Sequence, residues 1–295
     1  MKVGLVLPQG LTGEYAGWSP ARAWDRTLDA AVRAEKLGFE SIWAYDHVQT
    51  FGGARAEPSF ESSIMLSTLA GLTNRVRIGQ LVACASYRNP GLLAKMVATL
   101  DVVSGGRAEL GLGAGLKEDE ARSYGFGFPP MATRMTTLRD NLEIVTRLLA
   151  AGRGTWQGER HSIDGAINVP RGLQSPRIPI IVGGNGPQVT WRLAARYADE
   201  LNLDGLSPAK TAEALVTIRD RCAEIGRDPA SLAVSVHVLP HDAAPAGPGR
   251  VRLLAAYRDL GISRVMALLT AVTTEDSTLE SFVTDAASAG AALQF

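Results

Sequence analysis

Ser41-Ile42-Trp43-Ala44-Tyr45-Asp46-His47 reads as a short buried strand that runs out into a polar loop. Alternating α/β proteins place their chemistry at the carboxyl ends of strands. Histidine is the side chain best suited to hold or release a proton near neutral pH. Asp46 and His47 are therefore the candidate catalytic pair. Taken alone, the pair fits equally well as a hydrogen-bonded structural feature at a loop start. Outward from this strand, short apolar runs bounded by turn residues alternate with longer amphipathic segments, which argues for βα units and a parallel sheet. Eight strands are expected, near 2–7, 41–45, 77–83, 107–112, 179–182, 199–203, 232–238 and 263–268. Ser19-Pro20, Asn89-Pro90 and Ser207-Pro208 each offer a helix cap followed by proline at the first helical position. Gly38, Gly226 and Gly261 each follow a helical pattern and suit a left-handed helix end. The series fits one (β/α)8 barrel spanning residues 1–295.

Three loops stand out from that pattern. Gln49 to Pro58 is enlarged, and Asp242 to Gly249 is rich in Ala, Pro and Gly. The inserted region near 153–179 is expected to form a small hairpin or lid beside the barrel mouth, packed through Trp156, Ile163 and Ile167. His161 and His241 lie in loops and read as solvated. His237 falls late in the seventh strand, with an inward-facing role open.

Composition narrows the partners. Of 295 residues, 46% are hydrophobic and 20% charged, and thirty basic residues balance thirty acidic ones. These values describe a soluble globular chain with no nucleic-acid footprint and no attraction to an anionic membrane. Cys84 and Cys222 lie far apart and make no metal-ligand spacing, so reduced thiols in a cytoplasmic protein are expected. The segment Met1 to Pro8 reads as a first strand rather than a signal peptide. A small molecule is the expected partner, and a homodimer is an open option for the assembly.

Two glycine clusters follow strands. Gly111-Leu112-Gly113-Ala114-Gly115 follows the fourth, and Gly183-Gly184-Asn185-Gly186 follows the fifth and opens a helix at Pro187. Glycine lets a backbone approach a ligand, and free amides at a helix start favour an anion such as phosphate. Plain tight turns are the competing reading. Neither cluster has Walker or Rossmann spacing.

Together these stretches resemble the bacterial-luciferase-like superfamily. The likeness is carried by Ser41 to His47, Arg75 to Gly79, Cys84-Ala85-Ser86-Tyr87-Arg88-Asn89-Pro90, Leu93 to Met96 and Thr99 to Arg107. It continues through Gly111 to Gly115, Ser123 to Phe126, Pro179 to Gly186 and Ala194 to Asp199. The Cys84-to-Pro90 run looks most like the branch that uses the deazaflavin coenzyme F420. The resemblance implies a TIM-like barrel with inserted loops and a cofactor lying across its carboxyl end. It also implies a non-prolyl cis peptide near the end of the third strand, within Val82-Ala83-Cys84-Ala85.

By the same resemblance, Asp46 and His47 would lie near the ring system, and His47 would be the acid or base or the group holding substrate. Val82, Ala83 and Cys84 would press on the cofactor, and Gly113, Gly115 and Lys117 would border it. Gly183, Gly184, Asn185 and Gly186 would hold its phosphate, and Asn202 would point into the mouth. Lys117, Arg122 and Arg134 would serve the carboxylates of an F420 tail. Ala85, Leu116 and Leu201 stand where relatives often carry larger polar or aromatic groups. Glu118, Asp119 and Glu120 read as a solvated first helical turn. The implied activity is F420-dependent hydride transfer to or from a small organic substrate. An FMN-dependent monooxygenase and a non-catalytic flavin-binding protein are the alternatives.

Overall fold

A computed structural model describes residues 1–51, 57–240 and 243–295. His241 and parts of the Gln49–Pro58 and Asp242–Gly249 loops lie outside the described residues. The strands are β1 (Lys2–Val6), β2 (Ser41–Ala44), β3 (Arg77–Gln80), β4 (Ala83–Cys84), β5 (Ala108–Gly113), β6 (Arg153–Gln157), β7 (Ser162–Ile167), β8 (Ile180–Gly183), β9 (Glu200–Asp204), β10 (Ala233–Val238) and β11 (Arg264–Leu268). The helices are α1 (Pro20–Lys36), α2 (Ser62–Leu72), α3 (Pro90–Val103), α4 (Glu118–Ser123), α5 (Met131–Ala151), α6 (Thr190–Tyr197), α7 (Pro208–Ala223), α8 (Pro248–Asp259) and α9 (Ser277–Ser288).

All strands but β6 and β7 join one parallel sheet in the order β3-β2-β1-β11-β10-β9-β8-β5-β4, and pairing of β3 with β5 closes it. The expected third strand, 77–83, is split into β3 and β4, so eight barrel staves are present. The non-prolyl cis peptide is Leu81–Val82, one residue ahead of the window expected for it. Ser19, Asn89 and Ser207 cap α1, α3 and α7 through their side chains, each with proline at the first turn. Gly38, Gly226 and Gly261 have positive φ just beyond helix ends, where a side chain would be strained.

The barrel interior is layered. Trp43 is fully buried in the lumen and fits because its neighbours are glycines. A Cβ on Gly79 would lie 2.5 Å from its ring, and one on Gly4 2.9 Å from its Nε1. Below it, the Arg264 guanidinium sits 5.0 Å from the Trp43 ring centroid. Arg264 donates to Glu40 at 3.0 Å, Glu109 at 2.9 Å and Glu200 at 2.6 Å. Arg77 also reaches Glu109, and Lys2 reaches Glu40. Above Trp43, Val6, Leu81, Ile181, Met266 and Leu268 fill the lumen up to Tyr45 and Val82.

The inserted region is a hairpin of β6 and β7, but it does not border the mouth. It lies along the flank of α5 and α3. Arg147 of α5 stacks over Trp156 at 4.6 Å, Asp140 of α5 accepts from the backbone amides of Arg160 and His161, and Lys95 of α3 donates to the Val169 carbonyl. Trp156 and Ile163 pack inward, whereas Ile167 is exposed. His161 is half-buried rather than solvated.

Acid stability follows from carboxylates that cap turns. Glu35 accepts from the amides of Asn74, Arg75 and Val76 at 2.7–3.0 Å. Burial pushes its carboxyl up, but those amides outweigh burial and hold it below the usual carboxylate range. A lowered pKa contributes stability that is present above the unfolded value and is lost as pH falls through the folded value. Melting temperature should therefore stay flat from neutrality to about pH 5 and fall below about pH 4. Glu35→Gln should cost about 1–2 kcal/mol at neutral pH and make that acid fall shallower. An equal fall in parent and variant would show that Glu35 is not among the groups responsible.

Candidate active site

The strand ends open into one cleft of about 760 Å³, well within the size of small-molecule sites. Asp46, His47, Val82, Cys84, Gly113, Gly115, Lys117, Gly183, Gly184, Asn185 and Gly186 all line it, together with Asn202. Ala83 does not, because it is fully buried among the outer core residues. Ala85 and Leu201 also face the outer core and leave the cleft unchanged, while Leu116 lines it.

His47 is held by a residue that sequence reasoning set aside. Its Nδ1 lies 2.7 Å from Glu120. Glu120 is 2% exposed, not solvated as its run of three acids suggested. Tyr87 donates to Glu120 at 2.7 Å, and so do the amides of Val48 and Gln49. Burial raises the Glu120 carboxyl, but the hydrogen bonds from His47, Val48 and Tyr87 bring it below its usual range. An ionised Glu120 fixes a proton on Nδ1 and leaves Nε2 as the nitrogen available to the cleft. Nothing local distinguishes Glu120 from Glu118 and Asp119; only the fold brings it to His47.

Asp46 is placed differently. One carboxylate oxygen accepts from Ser62 at 3.0 Å and Gln80 at 3.3 Å. The other accepts from the Cys84 amide at 2.9 Å and Arg88 at 2.6 Å. With both oxygens occupied, Asp46 positions the Val82–Cys84 turn rather than offering a free base. The Cys84 thiol is buried and pushed up to about 11, a small hydrophobe in practice.

Val82 forms a ridge on one wall. It is seated among glycines, since a Cβ on Gly113 would lie 2.6 Å from its side chain and one on Gly183 3.0 Å. Its outer face is thereby presented to the cleft. At one end, the Gly183–Thr190 turn leads into α6, whose first amides have no intrahelical partner. The Gly184 amide is spent on the Asn202 carbonyl, and the Asn185 side chain is clamped to the backbone of Asp204. Any anion here would therefore meet the later amides of the turn.

The expected cationic rim is only partly present. Lys117 lines the cleft, 4.2 Å over the Phe51 ring. Arg122 pairs with Glu118 on the surface. Arg134 is buried and donates to the Gly115 and Pro129 carbonyls, so it is not a rim residue. On the other side, Arg192 and Arg221 reach the Gln188 and Pro187 carbonyls while sharing Glu224.

A parallel eight-stave barrel with this cleft at its carboxyl end agrees with what the chain is similar to. The family pattern of luciferase-like monooxygenases matches residues 1–269. The chain belongs to that family. It is 33% identical over 205 residues to an F420-dependent glucose-6-phosphate dehydrogenase of Microbacterium testaceum, covering 68% of this chain and 59% of that protein. A protein of the same description from Nakamurella multipartita is 32% identical over 204 residues, 68% of this chain and 58% of that protein. The chain thus matches less than two thirds of these relatives' length. Among solved structures, an F420-dependent secondary alcohol dehydrogenase in complex with an F420-acetone adduct superposes with a TM-score of 0.81 at 17% identity, covering 98% of both chains. A monooxygenase from Streptomyces bottropensis superposes with a TM-score of 0.76 at 20% identity, covering 97% of this chain and 98% of that one. These likenesses concern the fold of this member of the luciferase-like family.

Proposed function

We propose that this luciferase-like protein is an oxidoreductase that uses coenzyme F420 to move a hydride to or from a small organic substrate. The observation that carries the reading is the His47–Glu120 pair set in the same cleft as the Val82 ridge and the Gly183–Thr190 turn. The ridge gives a flat ring something to lie against, and the turn offers amides to a phosphate. The bound deazaflavin supplies the hydride chemistry. His47 presents Nε2 to the substrate as the acid or base or as the group that holds it, Glu120 keeps the ring in the tautomer that permits this, and Asp46 fixes the wall that orients the cofactor. The relatives described as F420-dependent support the choice of cofactor.

A monooxygenase using reduced FMN is the second reading, and the rim favours it. Among the described residues only Lys117 survives of the three cations expected to receive the F420 tail. Titration of the purified protein with F420 and with FMN, followed by absorbance, decides between them. Tighter binding of FMN would overturn the F420 assignment.

The phosphate turn has its own test. Bulk at Gly184 is a poor probe, because its φ of +129° strains any side chain. Val189 is exposed, lines the cleft and precedes α6. A carboxylate there suits the helix dipole but repels a bound phosphate. Val189→Glu should weaken the phosphorylated cofactor about 5- to 30-fold, with melting temperature unchanged or raised. The dephosphorylated cofactor should bind as it does to the parent. Equal effects on both forms would remove the phosphate from this turn.

A further inference from the structure

Three residues of the cleft remain outside the proposed chemistry. Tyr45 leaves the end of β2, Asp204 ends β9, and His237 lies late in β10 directly opposite Asp204 in the strand register. The Tyr45 hydroxyl lies 2.8 Å from His237 Nε2, and His237 Nδ1 lies 2.8 Å from Asp204 Oδ1. All three line the cleft. The Tyr45 ring sits between the two histidines, 6.1 Å from His47 and 5.7 Å from His237 by ring centroids.

The direction of the chain follows from its end. The Asp204 carboxylate can only accept, so at 2.8 Å His237 donates from Nδ1, and that bond holds the Asp204 carboxyl below its usual range. In the neutral imidazole Nε2 then accepts, and the Tyr45 hydroxyl donates to it. Tyr45 is left with oxygen lone pairs as its remaining capacity, at a site that lines the cleft. A purely structural tie would be expected to end on a buried partner. This one ends on an Asp204 side chain that is 50% exposed and itself lines the cleft, so the carboxylate end of the chain is open to solvent.

We propose that Tyr45, backed by His237 and Asp204, is a second proton-accepting station in the cleft and receives the proton of a substrate hydroxyl. The inference rests on the oxidoreductase reading for its chemistry, though not for its geometry. In alcohol oxidation the substrate O–H bond breaks and its proton goes to the Tyr45 oxygen. The Tyr45 proton passes to His237 Nε2, giving an imidazolium beside the Asp204 carboxylate. The electron pair of the adjacent C–H bond would leave as hydride, which a bound deazaflavin would accept, and the C–O bond would become C=O. Ketone reduction runs the same transfers backwards. Tyr45 is the group that touches substrate, and His237 and Asp204 position and discharge it. The station selects hydroxyl or carbonyl compounds over substrates with no oxygen at the reacting carbon.

The test uses nitrogen-15 NMR of the histidines in the full chain without cofactor, with cyclohexanol as the hydroxyl probe. His237 should show the tautomer protonated at Nδ1. Cyclohexanol should shift its ring signals in the parent and in His47→Ala. Tyr45→Phe should abolish that shift and weaken cyclohexanol about 3- to 10-fold. A tautomer protonated at Nε2 would overturn the proposal. So would His237 signals that ignore cyclohexanol at every concentration the folded protein tolerates, or that respond equally in Tyr45→Phe. Turnover of secondary alcohols adds a second arm, in which Tyr45→Phe should lower kcat and remove most of the solvent isotope effect. Failure to bind F420 would sink the proposed function and leave the NMR arm intact, so the two failures can be told apart.

Discussion

His47→Ala should lower turnover by about 100- to 10,000-fold, the usual contribution of a positioned acid or base. Cofactor affinity should stay near that of the parent, because the ring and phosphate would be held by Val82 and the Gly183–Thr190 turn. Glucose 6-phosphate and simple secondary alcohols form a reasonable first substrate panel, given the relatives' descriptions. Glu120→Gln should give an intermediate loss. It keeps hydrogen-bonding capacity for Val48 and Tyr87 but no longer fixes the His47 tautomer by charge. Asp46→Asn is the contrasting case. It places an amide against Arg88 and the Cys84 N–H, so cofactor binding and rate should fall together. A His47→Ala protein that turns over at the parental rate would make the pair structural and the proposed chemistry wrong.

Arg264→Met should produce the largest loss of stability. Among the described residues it removes the one cation that touches Glu40, Glu109 and Glu200 together, leaving carboxylates buried with too few partners. Breaking a buried ion pair from one side costs about 3–5 kcal/mol, which corresponds to a melting temperature lower by roughly 10 °C. Glu200 should be the easiest of the three to neutralise, since burial and the neighbouring Glu109 raise its carboxyl. Adding Glu200→Gln to Arg264→Met should therefore recover part of the loss. A double variant no more stable than the single one would show that Glu200 is not the strained partner.

Much of the barrel was legible because its signals are local. A serine or asparagine before proline starts a helix whatever the rest of the chain does, and the run Val265-Met266-Ala267-Leu268 has no reason to be so apolar unless both faces are buried. The glycine clusters and Asp46-His47 were visible for the same reason. Facing was harder. Ala85 and Leu201 stand where relatives often carry larger groups, yet both face the outer core, because alternate residues of a strand face opposite sides and a shift of one residue exchanges core for mouth. Arg134 looked like a rim charge until its backbone partners were seen. Glu120 reaches His47 across 73 residues, and Tyr45 reaches His237 across 192. No pattern within either segment carries such a pairing.

The stacked lumen has a consequence for how this protein can change. Trp43 and the aliphatic layer above it separate the ionic plug from the reactive mouth except along one seam, where Asn202 of the cleft donates to Ser235 at 2.8 Å and Ser235 in turn interacts with the Glu200 carboxylate of the plug. Away from that seam, charges introduced on one side face side chains with nothing to titrate, so they should barely alter proton affinities on the other. Substitutions that retarget the substrate can then accumulate around the rim while the foundation stays intact, and stabilising changes can be made underneath without retuning the chemistry. For this scaffold, durability and selectivity are separable traits wherever Asn202 and Ser235 are kept, and a mutational library can treat each end of the barrel as its own experiment.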